Sequence, residues 1–361
     1  MLQLAPPRLQ GDAKARPEDF LVEELPAYLP AGEGEHLFLW IEKRDVAAEQ
    51  LLKHVARCLN LSTGDIGCAG LKDKRAVTRQ WLSVPAKAAE FVPAIATDRI
   101  QVLEQQLHGN KLRTGHLAGN RFSILVTQLQ QLDESGTATP VSPTQAWQQI
   151  AAVCDRLPQQ GFANYYGDQR FGRNLETLNL GYDLLAGRAT PRDIPYNRRK
   201  FLLKLALSAL QSDLFNLALA DRIRDQLATT VLAGDVMELV ESGGKFLAED
   251  VACEQARCDT GEIAITGPLY GVKMKTPTGI PAQREAALLE RAGVTLAAMQ
   301  AFPDLLSGTR RRYLIRPSDF QVAVESEGLR FQFTLPPGVY ATALLEELFE
   351  LTSGQVAGEA S

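Results

Sequence analysis

Residues 69–80 read AGLKDKRAVTRQ, and their setting decides how the first half of the chain is read. Four consecutive charged side chains, Lys72 to Arg75, separate the apolar DIGCAGL from the β-prone AVTRQWLSV. A charged loop therefore delivers into a strand. Upstream, DFLVEEL (19–25) and HLFLWIEK (36–43) read as short strands from their partial alternation, joined by the Pro- and Gly-rich PAYLPAGEGE. Asp45 is placed to cap a helix whose apolar positions, Ala48, Leu51, Leu52, Val55 and Leu59, recur at helical spacing and should pack on the sheet. Downstream, VTRQWLSVPA, RIQVLEQQLHG and HLAGNRFSILVTQL read as strands and AKAAEFVPAIA as helix. Strands mixed with helices in this order predict an α+β domain.

Beyond it, QQLDESGTATPVSPTQ (130–145) reads as a surface linker. Ser142 before Pro143 is a helix start for PTQAWQQIAAVCDRL, and a new unit is expected there. Residues 197–226 carry the longest helical pattern, apolar over most of its circumference, as expected of a helix buried between layers. TTVLAG and GEIAITGPL are strand-like, PAQREAALLERAG is helical, and strands return after residue 310 with ESEG as a hairpin turn. YATALLEELFEL closes as helix, and TSGQVAGEAS reads as a frayed tail.

With 361 residues, 45% of them hydrophobic, the chain can bury a sizeable core, and its length favours two domains. No secretory signal and no stretch near the roughly 20 apolar residues of a membrane span is evident, so a cytoplasmic location is the expectation. Five scattered cysteines argue against a disulfide framework and read as buried thiols. The four histidines form no ligand pattern with them, so no metal is expected. Lys and Arg total 38 against 43 Asp and Glu, so a polyanion would have to meet a local basic face.

Five segments are candidates for chemistry. Charged loops such as KDKR are ordinarily solvated. Here, however, Gly70 would permit close backbone approach, and Asp73 stands where a loop meets a sheet edge. Lys14 and Arg16 precede the strand at Phe20 in KARPEDFLVEE. In GHLAGNRF, Gly119 and Asn120 read as a turn before Phe122. GFANYYGDQRFGRN (161–174) offers Asn164, Tyr165, Gln169, Arg170 and Phe171, a mixture that suits RNA stacking and phosphate contact and also occurs in packed aromatic loops. Basic clusters NRRK, with Arg198 and Arg199, and RRR, with Arg310 and Arg311, are either solvated ends or phosphate contacts.

These segments, in this order, resemble the TruD family of tRNA pseudouridine synthases. The resemblance rests on KARPEDFLVEE, GEGEHLFLWIEKR, AGLKDKRAVTRQ, HLAGNRFSILV, NYYGDQRFG, LLKLALSALQSDLFN, GPLYG, GTRRRYLIRP and LPPGVYATALLEEL. It implies a pseudouridine synthase catalytic domain with a central mixed or antiparallel sheet flanked by helices, discontinuous over 1–150 and 312–361. An α/β TRUD domain would be inserted over 151–311. It also implies isomerisation of uridine at position 13 of tRNA by a monomer without a cofactor. Asp73 would be the nucleophile and Lys14 its cationic partner, while Phe20, Asn120, Phe122 and Tyr340 would bind the uracil. Tyr340 stands before ATA where the family often has Phe before A-T-S.

The reaction breaks N1–C1′, joins C5 to C1′ and releases the C5 proton, with no net redox change. A carboxylate can attack or stabilise C1′, or assist removal of a sugar proton. Each route needs Asp73 ionised and desolvated, with a cation at hand. The cations next to Asp73 in sequence are expected to face solvent or RNA. An RNA-binding or tRNA-chaperone protein on the same fold is the alternative; a glycoside hydrolase would need a second acid, and none is evident.

Overall fold

The computed structural model describes residues 9–352. The chain runs β1 (Leu9–Asp12), β2 (Phe20–Pro26), β3 (His36–Arg44), α1 (Ala48–Cys58), β4 (Gly67–Cys68) and β5 (Val77–Pro85). A 3₁₀ segment (Ala86–Ile95), β6 (Ile100–His108), β7 (Leu117–Leu132), β8 (Ala138–Pro140) and α2 (Pro143–Cys154) follow. After α3 (Leu157–Gln160) come β9 (Phe162–Ala163), α4 (Glu176–Leu185), α5 (Tyr196–Arg224), β10 (Val236–Leu239), β11 (Lys245–Leu247) and α6 (Val251–Thr260). Then come β12 (Ile263–Leu269), α7 (Gly279–Arg291), α8 (Leu296–Met299), β13 (Thr309–Arg312) and β14 (Leu314–Ile315). The chain closes with β15 (Ser318–Val324), β16 (Gly328–Leu335), α9 (Ala341–Leu345) and β17 (Glu350–Leu351).

Two compact units emerge, and the mixed α+β class expected from the sequence holds in both. One comprises residues 9–158, 317–341 and 348–352, and the other Gln159–Arg316 with Thr342–Glu347.

The first unit is built on a mixed sheet of order β15-β16-β7-β2-β5-β3-β6, with β1, β4, β8 and β17 paired at its margins. Of its central pairings, β2 with β5 is parallel, whereas β2 with β7, β7 with β16 and β3 with β5 are antiparallel. In β3, Leu37, Leu39 and Ile41 alternate onto one face, where Leu51, Val55 and Leu59 of the α1 segment and Val92 and Ile95 of the 3₁₀ segment cover them. The opposite face is covered in part, where Phe38 is buried beside Trp81, Ala69 and Leu112. The helix after β3 does not start at an Asp45 cap: Ala47 is its N-cap, and Asp45 takes a left-handed φ of 47° instead. Ser142 does cap α2, its Oγ accepting from the Gln145 amide. The stretch read as a linker before it holds the end of β7 and all of β8, which pairs back onto β7.

The second unit holds the antiparallel sheet β11-β10-β12-β13 and the pair β14-β9. Helix α5 buries Leu207, Leu210, Leu214 and Phe215 in its core. Among the described residues α5 is long and apolar enough, by length and composition alone, to cross a membrane, which corrects the expectation of no such stretch. Half of its most apolar window is buried inside the unit. TTVLAG forms no strand, since β10 starts two residues later at Val236. The closing helix is a single short one, α9, and the tail beyond residue 352 lies outside the described residues.

Candidate active site

The site grows from three strands of the first unit. Because β2 and β7 run antiparallel with Val22 opposite Phe122 and Glu24 opposite Asn120, residues far apart in sequence share one patch of sheet. Strand β16 extends it, with Phe333 opposite Phe122 and Leu335 opposite Asn120. Gly119 and Asn120 therefore lie within β7 and form no turn. The glycine is needed for another reason: a Cβ there would come within 2.7 Å of the Leu335 carbonyl oxygen. Gly70 has no such constraint, its nearest neighbour on an added Cβ being Lys72 Nζ at 4.0 Å.

Above this patch, Lys14 Nζ donates to Asp73 Oδ2 at 3.3 Å, across fifty-nine residues of sequence. The same ammonium sits 4.4 Å from the centroid of the Phe20 ring. Phe20 meets Phe122 edge-on at 6.3 Å, and Phe122 stacks on Phe333 at 5.4 Å. Both Phe20 and Phe122 are buried, so they form a floor beneath the ion pair. Asp73 itself is 55% exposed in the free chain. Tyr340 is half-buried in the turn between β16 and α9.

Beneath the loop lie groups that the sequence reading did not single out. Lys72 does not face solvent: it is 7% exposed, pairs with the fully buried Glu24 at 3.1 Å and donates to Asn120 Oδ1 at 2.6 Å. Burial pushes the Glu24 carboxyl up, and the Lys72 charge pulls it back. Lys43, also fully buried, donates to the carbonyls of Val46 at 2.8 Å and Asp73 at 2.6 Å. Burial drives its ammonium down to about 8, with the Asp73 charge opposing. The alternation of β2 and β3 carries a signal for both: Glu24 extends the inward row Phe20, Val22, and Lys43 extends Leu37, Leu39, Ile41.

In the second unit, several candidate RNA contacts are held internally. Asn164 is buried, its Nδ2 donating to the Arg312 carbonyl while the Arg311 guanidinium donates to the Asn164 carbonyl. Arg310 is buried against Glu285 at 2.7 Å and donates to Thr266 O, so its guanidinium is closed to phosphate. Arg311 lies over the Tyr166 ring at 4.1 Å. Arg170 donates to Ser212 Oγ at 3.2 Å, Phe171 is buried, and burial pushes the half-buried Tyr165 up to about 12. Gln169 and Arg198 are exposed. Arg199 donates to Ile194 O and lies over Tyr196, a ring 87% exposed that the sequence reading had passed over. Among the described residues, no group of three or more His, Cys, Asp or Glu side chains could hold a metal ion.

Comparison with known proteins matches the chain to one family. The model of the family described as tRNA pseudouridine synthase D (TruD) matches residues 3–190 and 198–348. A tRNA pseudouridine synthase D of Anaeromyxobacter dehalogenans is 40% identical over 340 residues, covering 94% of this chain and 92% of its own. One of Thermus thermophilus is 38% identical over 349 residues, covering 96% and 90%. A crystal structure assigned to tRNA pseudouridine synthase D of Methanosarcina mazei shares the fold, with a TM-score of 0.74 and 24% identity over 96% of this chain and 94% of that one. The motifs around Lys14, Asp73 and Asn120 are therefore parts of a sequence that matches along nearly its whole length, and the chain belongs to the tRNA pseudouridine synthase D family.

Proposed function

We propose that the chain isomerises uridine to pseudouridine at position 13 of tRNA, with Asp73 as the nucleophile. The observation that carries this reading is the Lys14–Asp73 pair at 3.3 Å, set over the Phe20 ring. A cation this close offers a carboxylate a counter-charge when a substrate excludes water. The target uridine must leave its stack, at a cost of a few kcal/mol, to reach the pair. Its arrival covers the exposed Asp73 and supplies the desolvation that the free chain lacks.

In the reaction the N1–C1′ bond breaks and the uracil turns, while Asp73 either bonds to C1′ and leaves again as C5 attacks, or takes a sugar proton and returns it as C5 bonds to C1′. C5 then joins C1′, the C5 proton passes to water and N1 ends protonated, so atoms and electrons balance without a redox partner. Asn120, held by Lys72, reads the uracil edge or steadies Asp73. Phe20, Phe122 and Tyr340 supply apolar and aromatic surface. The discontinuous first unit is the catalytic domain. The second unit grips the tRNA backbone through exposed groups such as Gln169, Arg198 and the Arg199–Tyr196 stack. The setting is cytoplasmic, where tRNA is processed.

The test uses tRNA transcripts tritiated at uracil C5. Release of tritium from a transcript with U13, and none from one with C13, is the expected result. A non-catalytic RNA-binding protein on this fold would bind both transcripts and release tritium from neither.

A further inference from the structure

We infer that Lys43 is a positioning residue for the reaction, holding the Asp73 backbone so that the carboxylate stays aimed at the Lys14 side of the site. The inference rests on the reading of Asp73 as nucleophile. Asp73 lies in the loop between β4 and β5, and its side chain is 55% exposed. An exposed loop carboxylate ordinarily samples several positions. Here the loop is gripped from below. Lys43, at the end of β3, donates to Asp73 O at 2.6 Å, and its nitrogen lies 3.5 Å from Lys72 O. Its donation to Val46 O at 2.8 Å ties the same ammonium to the β3–α1 connection.

This is an unusual place for an ammonium. Lys43 is fully buried, and burial of a charge is costly unless its donors are matched. Three carbonyl oxygens around one nitrogen match the three protons of the charged form and outnumber the two of the neutral amine. The carboxylates of Asp73 and Asp45 favour the charge, while burial and Lys72 oppose it and bring it down to about 8. Loss of the proton removes one donor and the charge assistance on the others, and charge-assisted bonds are roughly twice as strong. The loop grip therefore weakens as pH rises through 8.

A buried lysine serving only as filler would affect stability and leave turnover alone. The full chain and a U13 transcript separate the two. In K43M, kcat for tritium release is expected to fall roughly 30- to 100-fold with KM within about threefold, the scale expected when a catalytic group is displaced by about 1 Å. Hydrogen exchange over residues 69–76 should speed up while the flanking strands stay protected. K43Q keeps an uncharged donor and should recover part of kcat; it and the wild-type pH profile stand in should K43M not fold. Wild-type kcat should decline through pH 8, and K43Q should lack that decline. Turnover within threefold of wild type in both variants, with unchanged loop exchange, overturns the inference. Full activity in Asp73→Asn would instead sink the nucleophile reading, and the loop-exchange result would still decide the role of Lys43.

Discussion

Replacing Lys72 by Met should destabilise the first unit by about 3–5 kcal/mol at pH 7, the scale for removing one member of a buried ion pair. The magnitude follows from the surroundings of Glu24. Its side chain is fully buried, Lys72 lies 3.1 Å away, and its other polar neighbour is the Trp81 amide, a long donor at 3.4 Å. Without Lys72 the carboxylate is left charged in a dry site, or must take a proton. Burial already holds the Glu24 pKa above its ordinary value, and loss of Lys72 raises it further. The sign is then fixed. A carboxyl whose folded pKa exceeds its unfolded pKa binds more protons when folded, so its contribution is greatest below the unfolded pKa and is lost as pH rises through the folded one. The K72M deficit should therefore shrink on acidification from pH 7 toward the ordinary glutamate range. Urea unfolding followed by tryptophan fluorescence measures it, and in thermal melts the same deficit is about 6–20 °C for a unit of this size. Adding E24Q should restore most of the loss, because a neutral amide needs no counter-charge. A K72M deficit below about 1 kcal/mol, or one that E24Q does not relieve, would refute the argument.

Three further outcomes follow. Lys14→Met should lower kcat more than KM in the tritium assay, since Lys14 touches Asp73 while the buried Phe20–Phe122 floor stays in place; equal kcat would remove it from the chemistry. Tyr196→Ala combined with Arg198→Ala should raise KM by about tenfold or more at unchanged kcat, because both side chains are exposed, and a lost base stack is worth about 1–3 kcal/mol. An unchanged KM would exclude this surface from tRNA binding. Arg310→Ala should cost about 3–5 kcal/mol of stability by stranding Glu285, yet leave the salt dependence of tRNA binding as it was. A shallower salt slope would show that Arg310 meets phosphate after all.

Much of the site was legible because strand alternation and motif order are local signals. DFLVEEL, HLFLWIEK and HLAGNRFSILVTQL became β2, β3 and β7, and Lys14 lies 3.3 Å from Asp73. What the sequence concealed was direction. Lys72, Lys74 and Arg75 look alike in KDKR, yet Lys72 turns inward to meet the buried charge of Glu24 on a neighbouring strand. Likewise RRR reads as a basic face, but in a strand successive side chains alternate: Arg310 and Arg312 reach Glu285 and Glu238, while Arg311 lies over Tyr166. Charge pairing across long sequence separations leaves no local trace. A period-2 reading marks Glu24 and Lys43 as charges on apolar rows, but not the partners that make those positions tolerable.

The proposed chemistry stands or falls on the Asp73 carboxylate. Single-turnover tritium release from a C5-tritiated U13 transcript, with Asp73→Asn at saturating concentration, tests it most directly. D73N is expected to fold, to bind the transcript as wild type does and to release no tritium above background. Release at a wild-type rate by D73N would contradict it.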